Sequence, residues 1–219
     1  MTEFDQTIAV IGGTGDLGSA LTMRWSNAGY RIIIGSRDED KAHAVASKIN
    51  QSLGKEFVRG MTNLEAARSA EIIVLTVPFS NHQAIVEEIS QAAQGKIVVD
   101  TTVPLVPPKV SRVQLPEFGS IAKRTQEKLG NNVKVVSAFQ TVAAASISGD
   151  ATTASEVLVC GNNVEARECV IGLVKSAGLK AWHAGPIDNS VVSESMTSIL
   201  IFLNKHYQIH GAGIRIVKN

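Results

Sequence analysis

Short runs of consecutive apolar residues alternate along the chain with stretches in which apolar positions recur every three or four residues. The runs predict strands at Thr7–Ile11, Arg31–Gly35, Phe57–Arg59, Ile72–Val77, Lys96–Val99, Lys134–Ser137, Glu156–Val159 and Lys180–His183. The periodic stretches predict helices at Leu17–Asn27, Asp38–Gln51, Asn63–Ser69, Asn81–Ala93, Glu117–Leu129 and Val164–Ser176. Uniformly apolar runs are what a strand covered on both faces requires, and the repeat of strand, helix and strand predicts an α/β fold with a mostly parallel sheet. From Asn189 the pattern changes: Val191, Val192, Met196 and Ile199–Leu203 make a helix apolar nearly all round, ended by Gly211 and Gly213, with Ile214–Val217 as a last strand. Such a helix is buried on several sides. A chain of this size does not cover it alone, so an isologous homodimer is expected. The chain is read as one domain, 1–219, with 186–219 as a C-terminal helical extension.

One segment has no periodicity. Thr101–Pro116 holds Pro104, Pro107, Pro108 and Pro116 and reads as a long loop. It follows a strand, at the carboxyl edge of the sheet where open α/β folds bind ligands, so it is a wall or lid of a site or else a mobile surface loop.

The first strand runs into Gly13-x-Gly15-x-x-Gly18 and then a helix, the context of a dinucleotide-binding turn in a doubly wound, Rossmann-type fold. Gly13 is expected to permit the tight turn, Gly15 to let the backbone approach a pyrophosphate, and Gly18 to let the helix pack against the strand. Free N–H groups at the helix N-terminus then meet the phosphates. At the tip of the second strand, where an NAD site carries an acid for the ribose, this chain has Ser36 and Arg37, with Lys41 four residues on. A hydroxyl, a guanidinium and an ammonium suit a 2′-phosphate, so NADP is expected rather than NAD, with Arg37 and Lys41 sharing a face of the next helix's first turn. Asp38 and Asp40 could instead neutralise these cations.

Composition narrows the class. The 219 residues are 44% hydrophobic with a net charge of +1, which gives no basic excess for nucleic acid. Ile199–Leu203 is too short an apolar run to span a membrane. The acidic Met1–Asp5 leads directly toward the first strand with no signal-peptide pattern, and Cys160 and Cys169 show no ligand spacing, so a reduced, cytoplasmic protein is expected.

Several blocks together resemble the NADPH-dependent reductases of the deazaflavin coenzyme F420. They are Gly12–Gly18, Gly35-Ser36-Arg37-x-x-x-Lys41, Leu75–Pro78, Val135–Ala138, Val159–Gly161, Ala184–Pro186 with Asn189-Ser190, and Val192-x-Glu194-Ser195. The resemblance implies hydride transfer between NADPH and the deazaflavin ring. It implies that Thr14, Gly15, Asp16 and Leu17 hold the pyrophosphate and Ser36, Arg37 and Lys41 the 2′-phosphate, while Val77, Pro78, Phe79 and Val103 line the nicotinamide side. It breaks after Ser137-Ala138: where family members carry a His and a Pro, this chain reads Phe139–Ala144, and Gln140 offers a neutral hydrogen-bonding group to the second ligand.

The residues fit transfer between two cofactors better than ketone reduction. Tyr30 and Tyr207 both lack a Lys four residues on, and the strand tips are apolar, so no residue is assigned as catalytic. A deazaflavin spreads charge over its own rings and needs stacking, orientation and dryness from the protein. Two other readings compete: an NADPH-dependent reductase of a small imine, carbonyl or flavin with His82 as its acid, and a non-catalytic NADP-sensing module. His82 could equally be a helix-start histidine satisfied by solvent or backbone, and Asp100 a turn-former bonded to backbone. His183 could touch a ligand or pack at a dimer seam. His206 and His210 lie four apart on the last helix, but no metal site is assigned. Lys109, Arg112, Lys123, Arg124 and Lys128, partly offset by Glu117 and Glu127, form a basic rim that would attract the coenzyme's phosphate and acidic glutamyl tail.

Overall fold

A computed structural model describes residues 6–148 and 155–217; the acidic lead-in Met1–Asp5 lies outside them. Eight strands form one sheet: β1 (Thr7–Ile11), β2 (Arg31–Ser36), β3 (Val58–Thr62), β4 (Ile72–Leu75), β5 (Ile97–Asp100), β6 (Lys134–Ser137), β7 (Glu156–Gly161) and β8 (Lys180–His183). Their order is β3-β2-β1-β4-β5-β6-β7-β8, parallel throughout except at β6 and β7. The helices are α1 (Asp16–Asn27), α2 (Glu39–Leu53), α3 (Asn63–Arg68), α4 (Phe79–Ile89), α5 (Ile121–Leu129), α6 (Ala144–Ile147), α7 (Val164–Ser176) and α8 (Ser190–Tyr207), with a 3-10 turn at Ile187–Asn189. This is the expected doubly wound, mostly parallel architecture. Strand order reverses between β1 and β4, and that switch point opens a crevice at the carboxyl edge.

Each sheet face buries its own core. On one, Leu21, Trp25, Ala46, Val170 and Val174 from α1, α2 and α7 pack on Ile8, Val10, Ile32 and Ile34. On the other, Ala66, Ile85, Ile89 and Leu129 from α3, α4 and α5 pack on Ile11, Ile73, Leu75 and Val135. Trp25 joins several elements: its Nε1–H donates to the Leu173 carbonyl at 2.8 Å, and its ring meets Phe139 edge-on at 5.9 Å.

The departures from expectation have local causes. β4 stops at Leu75 rather than Val77 because Pro78 has no N–H for a ladder and biases the residue before it; Pro78 instead starts α4 two residues early. α5 begins at Ile121 rather than Glu117, where the Ser120 side chain accepts from the Lys123 N–H. α8 ends at Gln208, which is left-handed with φ 53°, rather than at Gly211 or Gly213. Ile214–Val217 forms no strand: among the described residues its backbone hydrogen bonds to the sheet run to Glu156, whose N–H donates to the Ile214 carbonyl and whose carboxylate accepts from the Ile216 N–H. His210 consequently lies beyond the helix and shares no helical face with His206, which stacks on Phe202. Among the described residues, no helix is long and apolar enough to cross a membrane.

Replacing Trp25 with Phe removes ring volume from a fully buried position together with its hydrogen bond. The expected loss of stability is roughly 1–3 kcal/mol, measured as a lower urea midpoint at unchanged slope.

Candidate functional site

The turn between β1 and α1 builds one end of the crevice. Positive φ falls on Gly12 (76°), not Gly13, so Gly12 makes the tight turn. Gly13 is needed for another reason: a Cβ there would stand 2.7 Å from the Val10 carbonyl oxygen. A Cβ at Gly18 would lie 2.6 Å from both Gly13 Cα and Thr76 Oγ1, so α1 approaches β1 and β4 only because that position is bare. Gly15 is the N-cap of α1, supplies no side-chain cap, and has open space above it beyond an ordinary contact with the Gly12 carbonyl. First-turn N–H groups therefore face the crevice uncapped.

A cavity of about 820 Å³ runs along this edge. Of the sequence-predicted residues, Thr14, Gly15, Asp16, Leu17, Ser36, Arg37, Lys41, Val77, Pro78, Phe79 and Val103 line it, whereas Gly13 lies beneath the turn. Leu105, Pro107 and Val110 line it too, so the proline-rich segment is a wall of the crevice. Arg37 does not share the first turn of α2 with Lys41: Asp38 is the N-cap, its carboxylate accepting from the Lys41 N–H, and Arg37 precedes the helix. Both side chains nevertheless reach the same cavity, and among the described residues neither forms an ion pair with Asp38 or Asp40. Sequence reading missed Asn63, a buried residue at the start of α3 that lines the cavity and whose Oδ1, itself buried, has no hydrogen-bond partner among the described residues. Its position just past the carboxyl end of a parallel strand was the available signal.

The titratable side chains lining the cavity, Asp16, Arg37, Asp38 and Lys41, all belong to the segments after β1 and β2. The segments after β4 and β5 contribute Val77, Pro78, Phe79 and Val103 with the hydroxyls of Thr76, Thr101 and Thr102. His82 does not line this cavity. Its Nε2 is 2.8 Å from Asp100 Oδ2, to which Thr125 Oγ1 also donates at 2.6 Å, while Asp100 Oδ1 accepts from the Thr102 N–H. Asp100 therefore binds backbone as expected and additionally holds a buried histidine, which is satisfied by a carboxylate rather than by solvent or backbone. Burial disfavours the charged form of His82, but the charge and hydrogen bond of Asp100 outweigh it and raise its pKa; the same pairing lowers that of Asp100 against burial.

Gln140 also turns inward. Phe139 takes a left-handed conformation (φ 71°), costly for an aromatic residue, which sends its ring onto Trp25. The Gln140 Nε2 donates to the Asp100 carbonyl and Ser137 Oγ, and its Oε1 has no partner among the described residues. The side chain does not line the crevice, contrary to the expectation that it meets a second ligand there. At the end of β8, His183 pairs with Glu168 on the surface, and burial pushes the Cys160 thiol up to about 11, which disfavours the thiolate.

Behind this cluster, Glu194 of α8 caps α5 from outside its own chain segment. Its two oxygens accept from the Ile121 and Ala122 N–H groups at 2.8 and 3.1 Å. Burial raises its pKa to about 7 despite those donors, and the charge of Asp100 adds to the rise. An unfolded chain releases this proton near pH 4.5, so stability falls as pH rises from 4.5 through 7, by at most roughly 3 kcal/mol. His82, also raised, has the same sign: the stability it contributes is lost as pH climbs past its folded value. Thermal melts are expected to show a lower Tm at pH 8 than at pH 5, with a flatter profile in Glu194→Gln.

Residues 7–104 match the family model described as NADP oxidoreductase, coenzyme F420-dependent. The chain is 36% identical over 218 residues to the F420-dependent NADP reductase of Methanocaldococcus jannaschii, covering 95% of this chain and 97% of that one. It is also 36% identical over 220 residues to the protein of the same name from Methanothermobacter marburgensis, covering 95% and 97%. Among solved structures, a putative F420-dependent NADP-reductase from Arthrobacter sp. FB24 superposes with a TM-score of 0.81 over 97% of this chain and all of that one, at 23% identity.

Proposed function

The chain belongs to the family of coenzyme F420-dependent NADP oxidoreductases, and on that premise we propose that it transfers hydride between NADP(H) and the deazaflavin coenzyme F420. The observation that carries the reading is the division of the crevice into an end that holds all its charged side chains, Arg37 and Lys41 among them, and a mostly apolar end free of titratable groups. Ser36, Arg37 and Lys41 hold the 2′-phosphate, with the two cations uncommitted to any acid of the described chain. The N-terminus of α1, reached through Thr14, Gly15, Asp16 and Leu17, takes the pyrophosphate by its backbone N–H groups. Gly13 supports the turn from below.

Bound here, NADPH would supply the hydride and coenzyme F420 would accept it, with a solvent proton completing the reduction. The chain's own part is to hold two flat rings face to face and keep the space between them dry. Val77, Pro78, Phe79 and Val103 do this with apolar contact, and approach geometry rather than an acid or base sets the rate. An imine or carbonyl reductase needs a proton donor at the reacting atom. His82, the candidate for that role, faces Asp100 outside the crevice, which weighs against that alternative.

We further infer a homodimer, with α8 in its interface. The helix turns Ser190, Ser193, Glu194 and Ser198 inward and leaves Val192, Ile199 and Phe202 about half exposed, at 54%, 45% and 48%. An apolar face directed outward is what a second copy of the same helix would cover. The chain is read as a single cofactor-binding domain extended by this C-terminal segment.

Purified protein mixed with NADPH and oxidised coenzyme F420 is expected to bleach the deazaflavin absorbance, and to do so poorly with NADH. Arg37→Ala raises the NADPH Kd by about tenfold to a hundredfold, the worth of one charge-assisted hydrogen bond, and leaves NADH binding nearly unchanged. Binding of NADPH without any bleaching would instead favour the sensing module. In sedimentation, the wild type is expected at twice the 23.3 kDa chain mass, and Ile199→Asp combined with Phe202→Asp at the monomer mass.

A further inference from the structure

A second cavity, of about 330 Å³, lies between α4 and α5, and Phe79 and Ser80 line both it and the crevice. Its buried lining includes His82, Thr125 and Ile121, while the exposed Phe118, Arg124 and Lys128 stand at its mouth. His82 is the unusual member. Its Nε2 is fixed on Asp100, whereas its Nδ1 makes no hydrogen bond among the described residues. With Nε2 engaged by the Asp100 carboxylate, Nδ1 is the ring atom left to meet a ligand; Asp100 favours the protonated ring against the cost of burial, and in that form Nδ1–H donates. Arg124 lies over the Phe118 ring at 5.7 Å, which keeps its guanidinium at the cavity mouth. The acids nearest the two exposed cations, Glu127 at 3.2 Å from Arg124 and Glu87 at 4.0 Å from Lys128, do not line the cavity. Asp100 and Glu194 are the charges that act on His82 from the protein side.

We propose that this cavity is a carboxylate subsite which, resting on the function proposed above, receives the acidic glutamyl tail of the deazaflavin coenzyme as it leaves the crevice over Phe79 and Ser80. Three groups meet there: the His82 imidazole on the inner wall, and the cations Arg124 and Lys128 at the mouth. Phe79 and Phe118 give the methylene groups of the tail apolar surface and strengthen the charge contacts by excluding water. Of the basic rim seen in the sequence, Lys123 pairs with Asp188 and does not line the cavity, whereas Arg124 and Lys128, each with one exposed acid beside it, do line it next to the crevice. Because Asp100 also binds the Thr102 N–H on the crevice wall, an anion on His82 is one residue removed from the nicotinamide pocket.

The test is calorimetric and needs no turnover. Full coenzyme, the same coenzyme lacking its glutamates, and glutarate are titrated into the wild type and into a variant carrying Arg124→Ala and Lys128→Ala. Both substitutions are at exposed positions, so the fold is retained. The wild type is expected to bind full coenzyme more tightly than the glutamate-free form, and the variant to reduce that ratio by about tenfold, the worth of two partly exposed charge contacts. Glutarate should compete with the full coenzyme, and the His82 side-chain 15N resonances should shift with full coenzyme or glutarate but not with the glutamate-free form. An unchanged ratio in the variant, or silent His82 resonances, overturns the assignment. Saturable glutarate binding that the variant loses, with the coenzyme ratio unmoved, overturns the tail as its source and makes the cavity a site for a free carboxylate. Failure of the glutamate-free coenzyme to bind the wild type counts against the function itself. In that case glutarate alone decides the subsite: binding lost in the variant upholds it, and no binding overturns it.

Discussion

A side chain at Gly18 would collide at 2.6 Å with backbone on one side and with Thr76 on the other, so the whole carboxyl edge of the sheet depends on how closely α1 can approach β1 and β4. That approach brings the uncapped N-terminus of α1 level with the strand tips. The backbone donors, the cations after β2 and the apolar residues after β4 and β5 then line one cavity. Gly12 and Gly13 serve the same constraint in different ways, one by its left-handed backbone and the other by leaving room for Val10.

Burial of charge is the second organising cost. Asp100 is fully buried, and an isolated carboxylate there would be expensive. It is compensated by three donors: His82 and Thr125 on one oxygen and the Thr102 N–H on the other. Glu194, also buried, is compensated by two N–H groups that α5 would otherwise leave unpaired. The pairings tie α4, β5, α5 and α8 together through polar contacts rather than apolar packing, and they bring the crevice wall and the neighbouring cavity into contact with one carboxylate. Removing one partner would leave a buried charge behind, so the cluster acts as a unit.

The apolar side of α8 is turned outward because its inward side is needed for Ser190 and Glu194, which meet Ser120 and the start of α5. Sequence periodicity alone made this helix look buried on several sides. In the fold it is the polar stripe that is buried, and half-exposed Ile199 and Phe202 remain for another surface.

The sequence by itself determined the alternation of strands and helices, the glycine turn after β1 and the cations after β2. These features are local: strand and helix periods, proline at strand ends and turn glycines act over a few residues, which is why β1, β6, β8 and α7 fall at their expected boundaries. Ends moved at Pro78, Ser120 and Gln208, where caps and backbone conformation compete with the apolar pattern, and β3, β7, α2 and the end of α4 shifted by one to four residues as well. What only the tertiary structure decided is the fate of isolated polar residues. His82 meets Asp100 across 18 residues and Glu194 meets Ile121 across 73, and nothing in the local sequence of either foretells its partner. Gln140 likewise turns inward because Asp100 and Ser137 offer it acceptors there, and Phe139 bends the backbone to reach Trp25. A residue's chemistry can be read from its type, but whether it faces ligand, solvent or a buried partner is settled by elements distant in the chain.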